Sequence, residues 1–168
     1  ITSVLFLANY KSGTYLTGWD NLQTELNPGL AVKRAFFSVW EEYQSFGLTA
    51  GMAHAADLPR AVFLWFTSFF LPQNMIRYFY HFLMLLLGGL GTYQLFGGGI
   101  VAFLGALFYM LNLGTVQIFY LPYEAFSTFF ALLPWGIWIF VKLIKENILN
   151  TKYLILFFLI NFLGTPAF

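Results

Sequence analysis

From Tyr78 to Tyr123 the chain carries no Lys, Arg, Asp or Glu. A stretch of that kind cannot furnish the water-facing surface of a folded domain, and it holds more apolar mass than one small core can hide. The rest of the chain is built alike: 60% of the 168 residues are hydrophobic, 22% are aromatic and 9% are charged, against about 25% charged in ordinary soluble domains. This excludes a disordered chain. With no cysteine there is neither a disulfide scaffold nor a thiolate metal centre. A net charge of +1 lacks the dense basic face that a phosphate backbone requires, so nucleic acid is not an expected partner. The fold class read from the sequence is all-α: a polytopic transmembrane helical bundle in the lipid bilayer.

The sequence opens at Ile1 with no basic region ahead of its apolar start, unlike a signal peptide. Residues 1–8 are too few to cross a bilayer, which takes about 20, and 157–168 ends inside an apolar run. The expectation is the N-terminal portion of a larger polytopic protein. Residues 1–10 end a first span, 11–72 form a long external loop, and 73–96, 100–121, 125–141 and 153–168 are further spans. Lys142, Lys145 and Lys152 crowd one short loop, which the positive-inside rule assigns to the cytoplasm. Counting spans back puts 11–72 and Glu124 outside.

Within that loop the sequence predicts a helix from Asn27 to Gly47. Asn27 suits the N-cap, Pro28 the first turn and Gly47 the stop. Val32, Phe36, Val39, Tyr43 and Phe46 step by four and three, so they share a face, and the helix is fit to lie in the membrane interface. Residues 58–71 (LPRAVFLWFTSFFL) are apolar but number only 14 before Pro72, which suits an interfacial or re-entrant segment. Pro134 is expected to kink the span 125–141.

The residues able to do chemistry are few. Asp20, in GWDN, is either ordinary turn chemistry or a general base. Asp57 precedes Leu58 and Pro59, where capping the helix is the preferred role, beside helping with acceptor or metal. Asp20, Asp57 and Glu124 offer hard oxygen ligands for a divalent metal, although their spacing does not demand one. Arg77 and His81 are four apart and share a helix face. Arg77 is suited either to fork onto a lipid phosphate or to snorkel to headgroups, and Arg60 has the same two roles with snorkelling preferred. His81 can bond a neighbouring helix, and His54 can touch a sugar. Trp19, Trp40, Tyr43 and Trp65 read as an interfacial aromatic belt rather than a sugar platform. Gly97–Gly99 lacks the Lys-Ser/Thr of a phosphate loop, and no Ser-His-Asp or zinc spacing occurs.

The stretches GWDN (18–21), KRAFFSVWEEYQSFG (33–47) and HAADLPR (54–60), with the Pro-initiated span carrying Arg77, resemble the GT-C superfamily of membrane glycosyltransferases. The similarity is to its alpha-(1→3)-arabinofuranosyltransferase-like group, and it extends over the whole chain. The resemblance implies a multi-pass protein of the cell inner (plasma) membrane with its catalytic face external or periplasmic. Its donor is a polyprenyl-phosphate sugar and its acceptor a cell-envelope glycan. Asp20 is then the base, with Asp57 beside it, and Arg77, Arg60, His54, His81 and Glu124 are substrate-binding candidates. No cofactor is required by the resemblance beyond a divalent metal in some members. The 168 residues alone are expected to be inactive. The rivals are a non-catalytic lipid or glycolipid transporter on the same scaffold, and a channel or structural subunit.

Overall fold

A computed structural model describes residues 1–16, 26–37, 40–41, 47–49, 57–120, 124–145 and 151–165. The chain is helical: α1 (Thr2–Asn9), α2 (Pro28–Phe37), α3 (Leu58–Thr67), α4 (Gln73–Leu95), α5 (Gly99–Leu111), α6 (Leu113–Tyr120), α7 (Glu124–Lys145) and α8 (Thr151–Leu163). Two strands of two residues, β1 (Trp40–Glu41) and β2 (Leu48–Thr49), pair antiparallel with Trp40 opposite Thr49.

The long helices α4 and α7 form the central pair; α5 lies on α4, α8 on α7 and α2 on α3. Leu64 of α3, Ile76, Tyr80 and Met84 of α4, and Ala131 of α7 make one core. Leu85, Met110 and Phe130 make a second further along. Ile139, Leu143 and Tyr153 join α7 to α8. α1 crosses α4 through aromatic pairs: Phe6 meets Phe82 edge-on at 5.4 Å, and Tyr10 meets Tyr78 at 5.3 Å. The outward faces stay apolar, with Ile100, Val101, Leu104 and Phe108 of α5 all exposed.

Local sequence sets the ends of α4. Pro72 is its N-cap, and beyond its C-terminus Gly97, Gly98 and Gly99 have φ of +77°, +84° and +83°, a run that residues with a Cβ resist. The span predicted over 100–121 is two helices rather than one: α5 and α6 meet at Asn112 with a bend of 45°. The break is built by side chains. Asn112 Nδ2 donates to the Phe108 and Tyr109 carbonyls, Asn112 Oδ1 accepts from the Thr115 N–H, and Thr115 Oγ1 donates to Tyr109 O. These groups satisfy the backbone that a bent helix leaves open. Pro134 sits inside α7, which runs uninterrupted for 22 residues.

Two expectations for the loop are corrected. The helix predicted to reach Gly47 ends at Phe37. Trp40–Glu41 is instead extended, and Gly47, with φ +93°, stands just before β2. The apolar period continues past Phe37, but it is carried by β-branched and aromatic residues that also suit a strand; Val39, Tyr43 and Phe46 lie outside the described residues. The helix expected over 58–71 stops at Thr67 and finishes in turns, because Thr67 and Ser68 turn their hydroxyls onto nearby carbonyls.

Among the described helices α7 is long and apolar enough to cross a membrane by itself, and α5 with α6 qualifies as a bent pair. α4, at 23 residues, has the length, about 34 Å at about 1.5 Å per residue. Its first three turns, however, carry Gln73, Asn74, Arg77 and His81. α8 is apolar but has 13 residues.

Candidate functional site

Glu124 is the first residue of α7 and its side chain is buried. Helical spacing on α4 puts Arg77 and His81 on one face, and that face meets the start of α7. Arg77 Nε donates to Glu124 Oε1 at 2.6 Å, and Arg77 Nη2 pairs with the same oxygen. The third arm, Nη1, donates to the Leu16 carbonyl at 2.6 Å. Arg60 of α3 reaches Glu124 Oε1 with Nη1 at 3.7 Å and grips Asp57 with both Nε (2.6 Å) and Nη2 (2.7 Å). Arg60 and Arg77 are each 4% exposed, Glu124 7% and Asp57 9%. Two guanidiniums thus face two carboxylates in a dry setting, where either charge without the other is costly. Burial pulls the Arg60 pKa down, but Asp57 and Glu124 outweigh it and hold it above its ordinary value.

The surrounding polar groups are satisfied locally. Thr128 Oγ1 donates to the Glu124 carbonyl at 2.6 Å and meets the Tyr80 hydroxyl at 2.6 Å; Ser127 Oγ donates to that same carbonyl. His81 differs. Its Nε2 is 3.8 Å from Glu124 Oε1, an ion-pair distance too long for a hydrogen bond, and neither ring nitrogen has a hydrogen-bond partner among the described residues. The ring lies edge-on to Phe119 and Tyr80.

This geometry corrects several expectations. Arg60 and Arg77 do not snorkel: both are buried and turned inward onto acids, because a carboxylate within reach satisfies a guanidinium better than a distant headgroup. Nor is Arg77 open to a phosphate, since Glu124 and Leu16 occupy its fork. Asp57 stands at the N-cap of α3 but makes no side-chain capping bond; its carboxylate goes to Arg60 three residues on. His81 packs against its neighbours without bonding them. Glu124, expected between the spans 100–121 and 125–141, begins a helix. Asp57 and Glu124 do not fit a divalent metal, because guanidiniums already engage both. No group of three His, Cys, Asp or Glu is placed to hold an ion among the described residues. Asp20 and His54 lie outside the described residues, as do Trp19 and Tyr43, while Trp65 is exposed and packs on Phe69.

A second feature is an apolar groove of about 970 Å³ between α1, α4 and α5, running from Met75 and Phe79 past Leu86 and Leu90 to Tyr93.

Sequence reasoning missed Glu124 as the centre of the cluster. The signal was present: a lone arginine and a lone acid bound the uncharged stretch 78–123, and ionisable groups in apolar surroundings find one another. Compared with known protein families, curated proteins and solved structures, the chain matches none.

Proposed function

We propose that the chain acts in glycosyl transfer at a membrane, moving a sugar, arabinofuranose by the resemblance, from a polyprenyl-phosphate carrier to a cell-envelope glycan on the external face. Asp20 accepts the proton of an acceptor hydroxyl while that oxygen bonds the anomeric carbon. The bond from that carbon to the lipid phosphate breaks, and the phosphate leaves with the electron pair, a good leaving group that needs no strong general acid. The sugar is inverted in this single displacement.

The observation that carries this reading is the hydrogen bond from Arg77 Nη1 to the Leu16 carbonyl. It fastens the chain four residues before Asp20 to the polar end of α4. Arg77 and Arg60 then act by holding the protein rather than the donor. The groove beside α4 supports the same reading, since it offers a hydrocarbon tail an apolar path that reaches this end at Met75.

The test is transfer of radiolabelled arabinose from polyprenyl-phosphate arabinofuranose to an arabinan oligosaccharide, in membranes carrying the protein. Asp20→Asn is expected to lower transfer by about 10²–10⁴-fold with insertion unchanged. Full activity in Asp20→Asn rejects the base. The groove alone favours a second reading, a lipid carrier without catalysis. That reading requires wild-type protein to bind polyprenyl phosphate yet transfer no sugar.

A further inference from the structure

Proline has no N–H, and inside a helix its ring crowds the carbonyl four residues before it. In α7 the proline is Pro134, buried within the helix, and the carbonyl deprived of its usual donor is that of Phe130. Helix α5 supplies another: the Tyr109 hydroxyl donates to Phe130 O at 2.9 Å. The Tyr109 ring also lies flat on the Phe130 ring, with centroids 4.3 Å apart and planes 13° from parallel. Tyr109 is held at its backbone too. It stands in the last turn of α5, just before the 45° break that turns the chain into α6. Its own carbonyl accepts from Asn112 Nδ2 at 3.0 Å and from Thr115 Oγ1 at 2.7 Å. Beyond the break, Phe119 of α6 meets the Phe130 ring edge-on at 5.3 Å. The hydroxyl of one residue thus serves the proline site of α7, and its carbonyl serves the α5–α6 break.

We propose that Tyr109 is a latch on a hinge in α7: its hydroxyl keeps the helix continuous across Pro134, and its carbonyl ties that hold to α6, so that a displacement of α6 at Asn112 frees α7 to bend. Proline is where a helix kinks. The part of α7 before it is fastened to α4 by the Arg77–Glu124 and Tyr80–Thr128 contacts. The part beyond it packs on α8 through Ile139, Leu143 and Tyr153, and this is the part that swings. Packing alone would need only the ring of Tyr109. The hydroxyl reaches the very carbonyl in α7 that Pro134 leaves without its helical partner.

The chain has no cysteine, so spin labels can be introduced in pairs. Labels at Leu90→Cys on α4 and Ile144→Cys on α7 report the part beyond Pro134. A control pair at Leu86→Cys and Phe126→Cys reports the part before it; all four positions are exposed. Distances are read by pulsed electron resonance on the whole chain in lipid nanodiscs. Tyr109→Phe is expected to widen the Leu90–Ile144 distribution about twofold, as a helix released at its proline bends, with the control pair unmoved. Pro134→Ala restores an N–H for the Phe130 carbonyl, so Tyr109→Phe in that background is expected to leave the distribution narrow. Thr115→Val removes a donor to the Tyr109 carbonyl and leaves the hydroxyl in place; it is expected to widen the same distribution by less. An unchanged distribution in Tyr109→Phe overturns the latch. Equal widening in the Pro134→Ala background overturns it as well, because the loss is then one of packing. An unchanged Thr115→Val overturns the tie to α6. If Tyr109→Phe widens both pairs, the Pro134→Ala background decides: recovery of both supports the proposal, and no recovery overturns it.

Discussion

The two halves of α4 are held against the rest of the protein by opposite means. In the first half, Arg77 and Tyr80 reach polar groups on α7 through hydrogen bonds, and the Arg77 partner is 47 residues away in sequence. In the second half, Gly88, Gly89 and Gly91 let neighbours approach where a side chain would stand: the Phe130 ring over Gly88, the Met110 thioether over Gly89, and Trp135 and Pro134 over Gly91. There the directional contacts are few. Trp135 Nε1 donates to the Leu87 carbonyl at 2.9 Å, and Thr92 Oγ1 donates back to Gly88 O. Charge fixes direction over a distance. Close packing at glycine fixes only the helices that touch, as small residues do between helices in membranes. The two arginines also hold described residues on either side of the long polar region, Leu16 through Arg77 and Asp57 through Arg60.

The two halves fail differently when broken. The largest expected effect is at the charged end. Glu124→Leu leaves Arg60 and Arg77 buried against fewer acids, and removing one partner of a buried ion pair costs about 3–5 kcal/mol, measured as thermal melting in detergent. Next comes the packed end. In Gly88→Ala the new methyl falls on the Phe130 ring, which is itself buried and stacked on Tyr109 at 4.3 Å. Overpacking of this kind costs about 1–3 kcal/mol. Gly89→Ala meets the Met110 sulfur instead, and an unbranched thioether can swing aside, so a loss under about 1 kcal/mol is expected. Equal losses for the two glycines would show that α4 shifts as a body rather than that one neighbour yields. His81→Leu is expected to be close to neutral, within about 1 kcal/mol, because it replaces a buried ring whose nitrogens make no hydrogen bond among the described residues by an apolar side chain of similar size. A large loss there would mean that the 3.8 Å approach to Glu124 is a working member of the cluster.

The same contrast explains what could be read in the sequence. The limits of α4, expected at 73–96 and found at Gln73–Leu95, were legible because Pro72 and the glycines at 97–99 act on their own backbone. So were the starts of α2 and α3, at Pro28 and Leu58. The end of α2 was misjudged because a 4–3 apolar period persists through residues that also favour strands. The roles of the charged residues were least legible. Asp57 sits where a cap belongs, yet its carboxylate turns to Arg60. Arg77 looked like a residue in search of a headgroup because nothing within a few turns could satisfy it, and its acid begins a helix three elements later. Local rules see periodicity, caps and turns; an ion pair across 47 residues has no local trace beyond two isolated charges of opposite sign.

Whether the two halves are truly separate can be settled with the smallest of these effects, a residual from additivity. Arg77 and Gly88 are eleven residues apart on one helix, about 16 Å at about 1.5 Å per residue, and the side chains that meet them on α7, Glu124 and Phe130, belong to different contacts. Changes that far apart with no shared partner add to within about 0.3–0.5 kcal/mol. Glu124→Leu combined with Gly88→Ala should therefore lose the sum of the two single losses within that margin. Glu124→Leu combined with Arg77→Leu should lose much less than its sum, because the second change removes the charge that the first left unpaired. A residual well above that margin in the first cycle would mean that α7 transmits the loss of the charged end to Phe130, six residues along it, and that the packed half is not an independent hold but the far end of the same one.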